Sequence, residues 1–191
     1  MSIAEHWGRI VTWLHVQAPA TYAGLREGAG YTELAAARTE LGLTIPPALK
    51  DWWSVCGGAR GEVLPPNFHP YAPAEAVASR RIWLEVNAGV PDSWMAGNTA
   101  GSPAKRFHRL WVPIAGDGAD NDLVVDLRPG PAKACVVLWR NAVHEVRKPQ
   151  WLSLIAMVDS VATGLERNRT VLGYRAKVRD GELHWASVKR G

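Results

Sequence analysis

Two short apolar runs near the middle of the chain, Leu123-Val124-Val125-Asp126-Leu127 and Ala134-Cys135-Val136-Val137-Leu138-Trp139, constrain the fold more than any other feature. Runs of this length bounded by turn residues read as central strands, because a helix needs more residues to bury a face. Upstream, Leu110, Val112 and Ile114 alternate with Trp111 and Pro113, a third strand that its proline demotes to an edge or a strand end. Together they predict an antiparallel meander. Trp151, Leu154, Ile155, Val158, Ala162 and Leu165 then repeat at helical spacing for about four turns.

Helices also precede the meander. Ile3, Trp7, Ile10, Val11 and Leu14 form one stripe of a helix that should end between His15 and Pro19. Thr32 is the expected N-cap of a short second helix carrying Leu34, Ala37 and Leu41, with Gly42 to stop it. Pro46-Pro47 starts a third, with Leu49, Trp52, Trp53 and Cys56 on its buried stripe and Gly57-Gly58 at its end. Glu62 to Pro66 reads as a brief extended segment, Pro73 to Asn87 as a fourth helix, and Gly89 to Lys105 as a long surface loop around Trp94-Met95. At the far end, Tyr174, Ala176 and Val178 alternate with Arg175, Lys177 and Arg179, and Asp180-Gly181 is a favoured two-residue turn before Leu183 and Trp185. The class is therefore α+β, an antiparallel or mixed sheet flanked by helices, with residues 1–166 as the domain and 167–191 as a basic hairpin packed on it.

Charge is uneven. Residues 1–165 carry 15 Lys and Arg against 15 Asp and Glu, whereas 166–191 carry seven against three, so the net charge of +4 belongs to the tail and the body is neutral. Apolar stretches are interrupted before they reach the roughly 20 residues a membrane helix needs. The first residues show no basic segment followed by an apolar core, and the expectation is a cytoplasmic protein with Cys56 and Cys135 as free thiols.

The order of these motifs resembles the SUKH superfamily, which includes the Smi/Knr cell-wall-assembly regulators and bacterial toxin-immunity proteins. Three segments carry the resemblance: Glu40 to Leu49 continuing through Asp51-Trp52-Trp53 to Cys56-Gly57-Gly58; Trp111 to Gly118 leading into Asp122 to Leu127; and Trp139 to Val146 with the helix containing Ser153-Leu154. It covers roughly Ile3 to Glu166 and leaves the terminal hairpin without a counterpart. Val55-Cys56 stand before Gly57 where a polar residue is common in the family. The resemblance implies a helix-flanked α+β domain that binds another protein without catalysing a reaction.

Residue chemistry agrees with a non-catalytic reading. The six His are dispersed with no close pair for zinc, Gly57 to Gly61 lacks the Lys-Ser/Thr ending of a phosphate loop, and no Gly-x-Ser-x-Gly elbow is present. No cofactor is expected. Asp117, Asp120 and Asp122 with Asn121 form the one dense anionic stretch; its spacing is wrong for an EF-hand, and its ordinary use is a solvated Asx turn. The same carboxylates could meet cations on a partner, and Arg60, Arg80, Arg81 and Trp94 are further interface candidates. Arg175, Lys177 and Arg179 complete the set, as a partner contact or, less favourably with only three cations, a nucleic-acid contact. The expected function is an immunity protein neutralising a cognate toxin; the alternative is a regulatory or scaffold protein related to the cell-wall regulators.

Overall fold

The computed structural model describes residues 1–89, 99–141 and 148–188. Its elements in order are α1 (Ile3–Gln17), α2 (Pro19–Ala23), α3 (Tyr31–Leu41), α4 (Pro47–Val55), β1 (His69–Pro70), α5 (Pro73–Val86), β2 (Trp111–Gly116), β3 (Asn121–Asp126), β4 (Cys135–Arg140), α6 (Leu154–Glu166), β5 (Tyr174–Arg179) and β6 (Glu182–Ser187). Strands β1 to β4 form one antiparallel sheet in sequence order, and β5 and β6 form a separate hairpin. The class is α+β, as the sequence implied.

Side-chain alternation divides the sheet into two cores. Val112, Ile114, Leu123, Val125 and Val136 face the main core with α1, α4 and α6, where the edge of Trp7 meets Trp52 at 5.2 Å. Trp111, Val124, Cys135, Val137 and Trp139 face a smaller core closed by Trp83 of α5 and by Phe107. Burial on both faces is why β3 and β4 read as unbroken apolar runs. Cys56 and Cys135 are free and buried, and burial pushes the Cys56 thiol up to about 12.

Helix α1 begins with a capping box: Ser2 Oγ accepts from the Glu5 amide, and the Glu5 carboxylate accepts from the Ser2 amide. Its buried stripe lies on α6, and Arg9 ties the pair together by donating to Glu166 at 2.6 and 2.9 Å and to Asp159 at 3.0 Å. Gly42 ends α3 in the left-handed conformation at φ 60°. Gly57 does more than stop α4. A Cβ there would lie 1.7 Å from the Glu27 carbonyl oxygen, so its hydrogen lets the 26–29 segment run against the helix end.

Four local readings need correction. Helix α3 starts at Tyr31, with Gly30 as N-cap in place of Thr32, because Glu33 sits at the third helical position and accepts from the Gly30 amide at 3.0 Å. Pro19 starts a short helix, α2, where a loop was expected. The 62–66 segment contributes only an isolated bridge from Leu64 to Phe68, and the fourth strand is His69–Pro70. Strand β2 is an inner strand despite Pro113: β1 pairs only with Ala115 and Gly116, and the register with β3 shifts between Pro113 and Ala115, so no ladder bond is asked of the missing N–H. Trp94 and Met95 lie outside the described residues. In the described part of their loop Gly89, Thr99, Pro103 and Lys105 are exposed as expected, while Ala100 and Ala104 are buried and the Ala100 amide donates to the Pro129 carbonyl.

The hairpin turns at Asp180 and Gly181 with φ of 52° and 78°, both positive as a two-residue type I′ turn requires. Leu183 and Trp185 enter the main core; the Trp185 ring N–H donates to the Val63 carbonyl at 3.3 Å, and the Leu183 amide donates to Thr21 Oγ1 at 2.8 Å. Thr21→Val keeps the shape but orphans the Leu183 amide. It is expected to cost about 1–3 kcal/mol, seen as faster amide exchange across β5 and β6 than at β3, whereas unchanged hairpin protection would show the bond to be dispensable.

Candidate functional site

Strand β3 carries a carboxylate at each end of its aromatic face, and the fold takes both out of solvent. Asp122, at its start, pairs across the sheet with Trp139; Asp126, at its end, lies between Trp111 and Cys135. Since Asp122, Val124 and Asp126 alternate, all three look toward α5 and the tryptophans of the smaller core.

Asp122 is 3% exposed and accepts from three side chains: Tyr71 OH at 2.9 Å, Ser79 Oγ at 2.5 Å and Trp83 Nε1 at 2.6 Å. Burial raises its pKa, against the pull of these donors, and Asp117 nearby adds to the rise. The Tyr71 hydroxyl is driven well above its ordinary range by burial and by the same carboxylate. Asp122 is thus a clamp joining β3 to α5 and to the segment after β1. The expected solvated anionic stretch is therefore corrected at this residue.

The other two acidic residues divide as well. Asp117 accepts from the amides of Ala119 and Asn121 and from the Asn121 side chain, an Asx turn that engages both of its oxygens. Asp120 is exposed. Of three carboxylates read as one partner-facing patch, one is buried, one is engaged within its own turn and one stands in solvent. Among the described residues, no group of three or more His, Cys, Asp or Glu is arranged to hold a metal.

Sequence reading missed the second clamp. Arg128 and Asp126 are both fully buried; Arg128 donates through Nε to both carboxylate oxygens at 3.0 and 3.1 Å and through Nη2 to Oδ2 at 2.7 Å. The same guanidinium reaches the Ser102 carbonyl at 2.9 Å and sits 5.3 Å from the centre of the Trp111 ring, while the Gly101 amide donates to Asp126. Residues 99–102 are thereby fastened to the end of β3. The available signal was an Asp-x-Arg pattern leaving the apolar run Leu123-Val124-Val125: charges that follow a central strand into the core enter it as a pair.

The cationic candidates are scattered. Arg80 is half-buried and donates to the carbonyls of Leu41 and Arg109, tying α5 to the end of α3; Arg81 and Arg60 are exposed on α5 and on the segment following α4. Arg175, Lys177 and Arg179 share one hairpin face. Glu182 stands opposite Arg179, and His184, opposite Lys177, lies 3.6 Å from Glu62, so this ribbon carries anions beside its cations.

The family model for SMI1 / KNR4 (SUKH-1) matches residues 28–160. The chain belongs to this family. The SUKH-1 match begins before α3 and ends within α6, so it contains both carboxylate clamps and Arg60, Arg80 and Arg81, but neither α1 nor the basic hairpin. It starts later than the resemblance read from the sequence, which reached back to Ile3. No curated protein matches the chain. No helix among the described residues is long and apolar enough to cross a membrane.

Proposed function

We propose that this SUKH-1 chain is a non-catalytic protein-binding domain, and that its partner is a toxin that it neutralises as an immunity protein. The observation that carries this reading is a contrast between interior and surface. The charged side chains best enclosed for chemistry, Asp122, Asp126 and Arg128, are engaged with groups of the chain itself. Apolar side chains meanwhile stand in solvent on α3 and α5, two helices that pack together: Tyr31 is 87% exposed, Val86 57% and Ile82 56%. Exposed apolar side chains on adjoining helices favour association with a protein surface. Asp120 and Arg81 supply polar contacts outside them, and Asp120 retains the role of meeting a partner's cation.

The test is isolation of the tagged chain from its native host with whatever binds it in fixed stoichiometry. The expected result is one partner whose production alone arrests growth, with growth restored when this chain is made alongside it. A stoichiometric partner that is harmless alone would contradict the immunity role and favour a regulatory one. Turnover of a substrate that a single substitution abolishes would contradict the non-catalytic reading.

A further inference from the structure

One face of α3, from Tyr31 to Thr39, and the loop leading into α4 border an open groove of about 880 Å³. Its lining is mixed: Leu34, Leu43 and Ile45 are only partly covered by the rest of the chain, Thr39 and Thr44 lie among them, and Tyr31 is almost wholly in solvent. Its charged lining is of one sign. Arg38 and Lys50 are exposed, and no carboxylate among the described residues lines the groove. Glu33, on the same helix, is held by the Gly30 amide, and Glu40 and Asp51 lie outside the lining.

We propose that this groove receives a short acidic segment of the partner protein, with an aliphatic or aromatic side chain seated on Leu34, Leu43 and Ile45 and carboxylates meeting Arg38 and Lys50. The inference rests on the protein-binding reading above and specifies where and what it binds. Charge complementarity selects the occupant. Leu34, Leu43 and Ile45 offer little to a nucleic-acid backbone, and two cations make a small footprint for one, whereas a peptide can place an apolar anchor between two acidic residues. The groove walls are set by the fold: Gly42, at φ 60°, turns the chain so that Leu43 and Ile45 come back beside α3, and Pro46 and Pro47 launch α4 with Lys50 in its first turn.

The probe is a library of random 12-residue peptides displayed on phage and panned against the full chain. Enriched peptides are then synthesised and their affinity measured for wild type and for Arg38→Glu/Lys50→Glu, whose fold is checked by circular dichroism and thermal melting. The expected result is enrichment of Asp and Glu flanking Leu, Ile or Phe, with binding weakened about tenfold or more by the double reversal and also weakened by Tyr31→Ala. Peptides without acidic residues, binding indifferent to both variants, or no enrichment at all would each overturn the proposal. The two readings fail separately. A native partner retained equally by wild type and the double reversal leaves protein binding standing and removes the groove; absence of any native partner removes the broader reading, while the peptide selection still judges the groove.

Discussion

Arg128→Ala is expected to cost about 3–5 kcal/mol, because it strands the Asp126 carboxylate in a fully buried position with the amides of Gly101 and residue 128 as its remaining donors among the described residues. For a chain of this size that is roughly a 6–20 °C fall in the melting temperature. The informative comparison is the double variant Asp126→Ala/Arg128→Ala. A buried pair gains from mutual attraction but pays desolvation on both partners, so removing both should cost less than the two single losses added together. Thermal melting of the four proteins gives the coupling directly, and additive losses would contradict a tightly coupled pair. Loss of the anchor at Ser102 should also loosen residues 99–102, visible as faster exchange of the Gly101 amide.

Asp122→Ala is the second large effect, expected at about 2–4 kcal/mol, since it leaves the Tyr71 and Ser79 hydroxyls and the Trp83 ring N–H without their acceptor. Asp122→Asn should be milder. Its amide oxygen can serve Ser79 and Trp83 on one side while its NH2 donates to the Tyr71 hydroxyl, which turns to accept. The two variants also separate the effect of charge from that of shape. Burial raises the folded pKa of Asp122 above its ordinary 3.8, so the folded state takes up the proton at higher pH than the unfolded chain does. Stability contributed by this residue therefore increases as pH falls from the raised value toward 3.8, opposite to a carboxylate stabilised by a salt bridge. Melting across that window should show wild type gaining on Asp122→Asn toward acid. The reverse slope would show that its three donors, not burial, set its ionisation.

How much of this was legible in the residues follows from the range of each interaction. Helices α1, α4 and α6 repeat their apolar residues within a turn or two, and Asp180-Gly181 defines its hairpin in two residues; periodicity and turn chemistry are local, and of these stripes only α6 departs, starting at Leu154 with Trp151 bridged to Val136 ahead of it and Ile155 exposed. Strand β1 is two residues long and exists only because Ala115 and Gly116 offer it a ladder, information that lies 45 and 47 positions away from Pro70 and His69. Asp122 shows the same limit at the level of a side chain. Its donors come from 39 to 51 residues upstream, and from composition alone the 117–122 stretch looks like a solvated turn. Yet the strand it opens is apolar on both faces, and a carboxylate sharing a face with Val124 and Trp139 has no route to water. The groove at α3 was hidden for another reason: Leu43 and Ile45 lie in a loop with no helical or strand period, and only Gly42 brings them beside Leu34 and Arg38.

These clamps give the domain its frame. Asp122 holds α5 to the sheet, Arg80 holds α5 to α3, and the two helices present their exposed apolar side chains from a fixed platform. Such a platform loses little conformational freedom when a partner docks. The immunity role is tested most directly by an inhibition titration, in which the purified partner's toxic activity is measured against increasing amounts of this chain. Activity abolished at one molar equivalent, with the chain recovered unaltered, is the result expected of a non-catalytic immunity protein. A saturated complex that keeps the partner's full activity would contradict it.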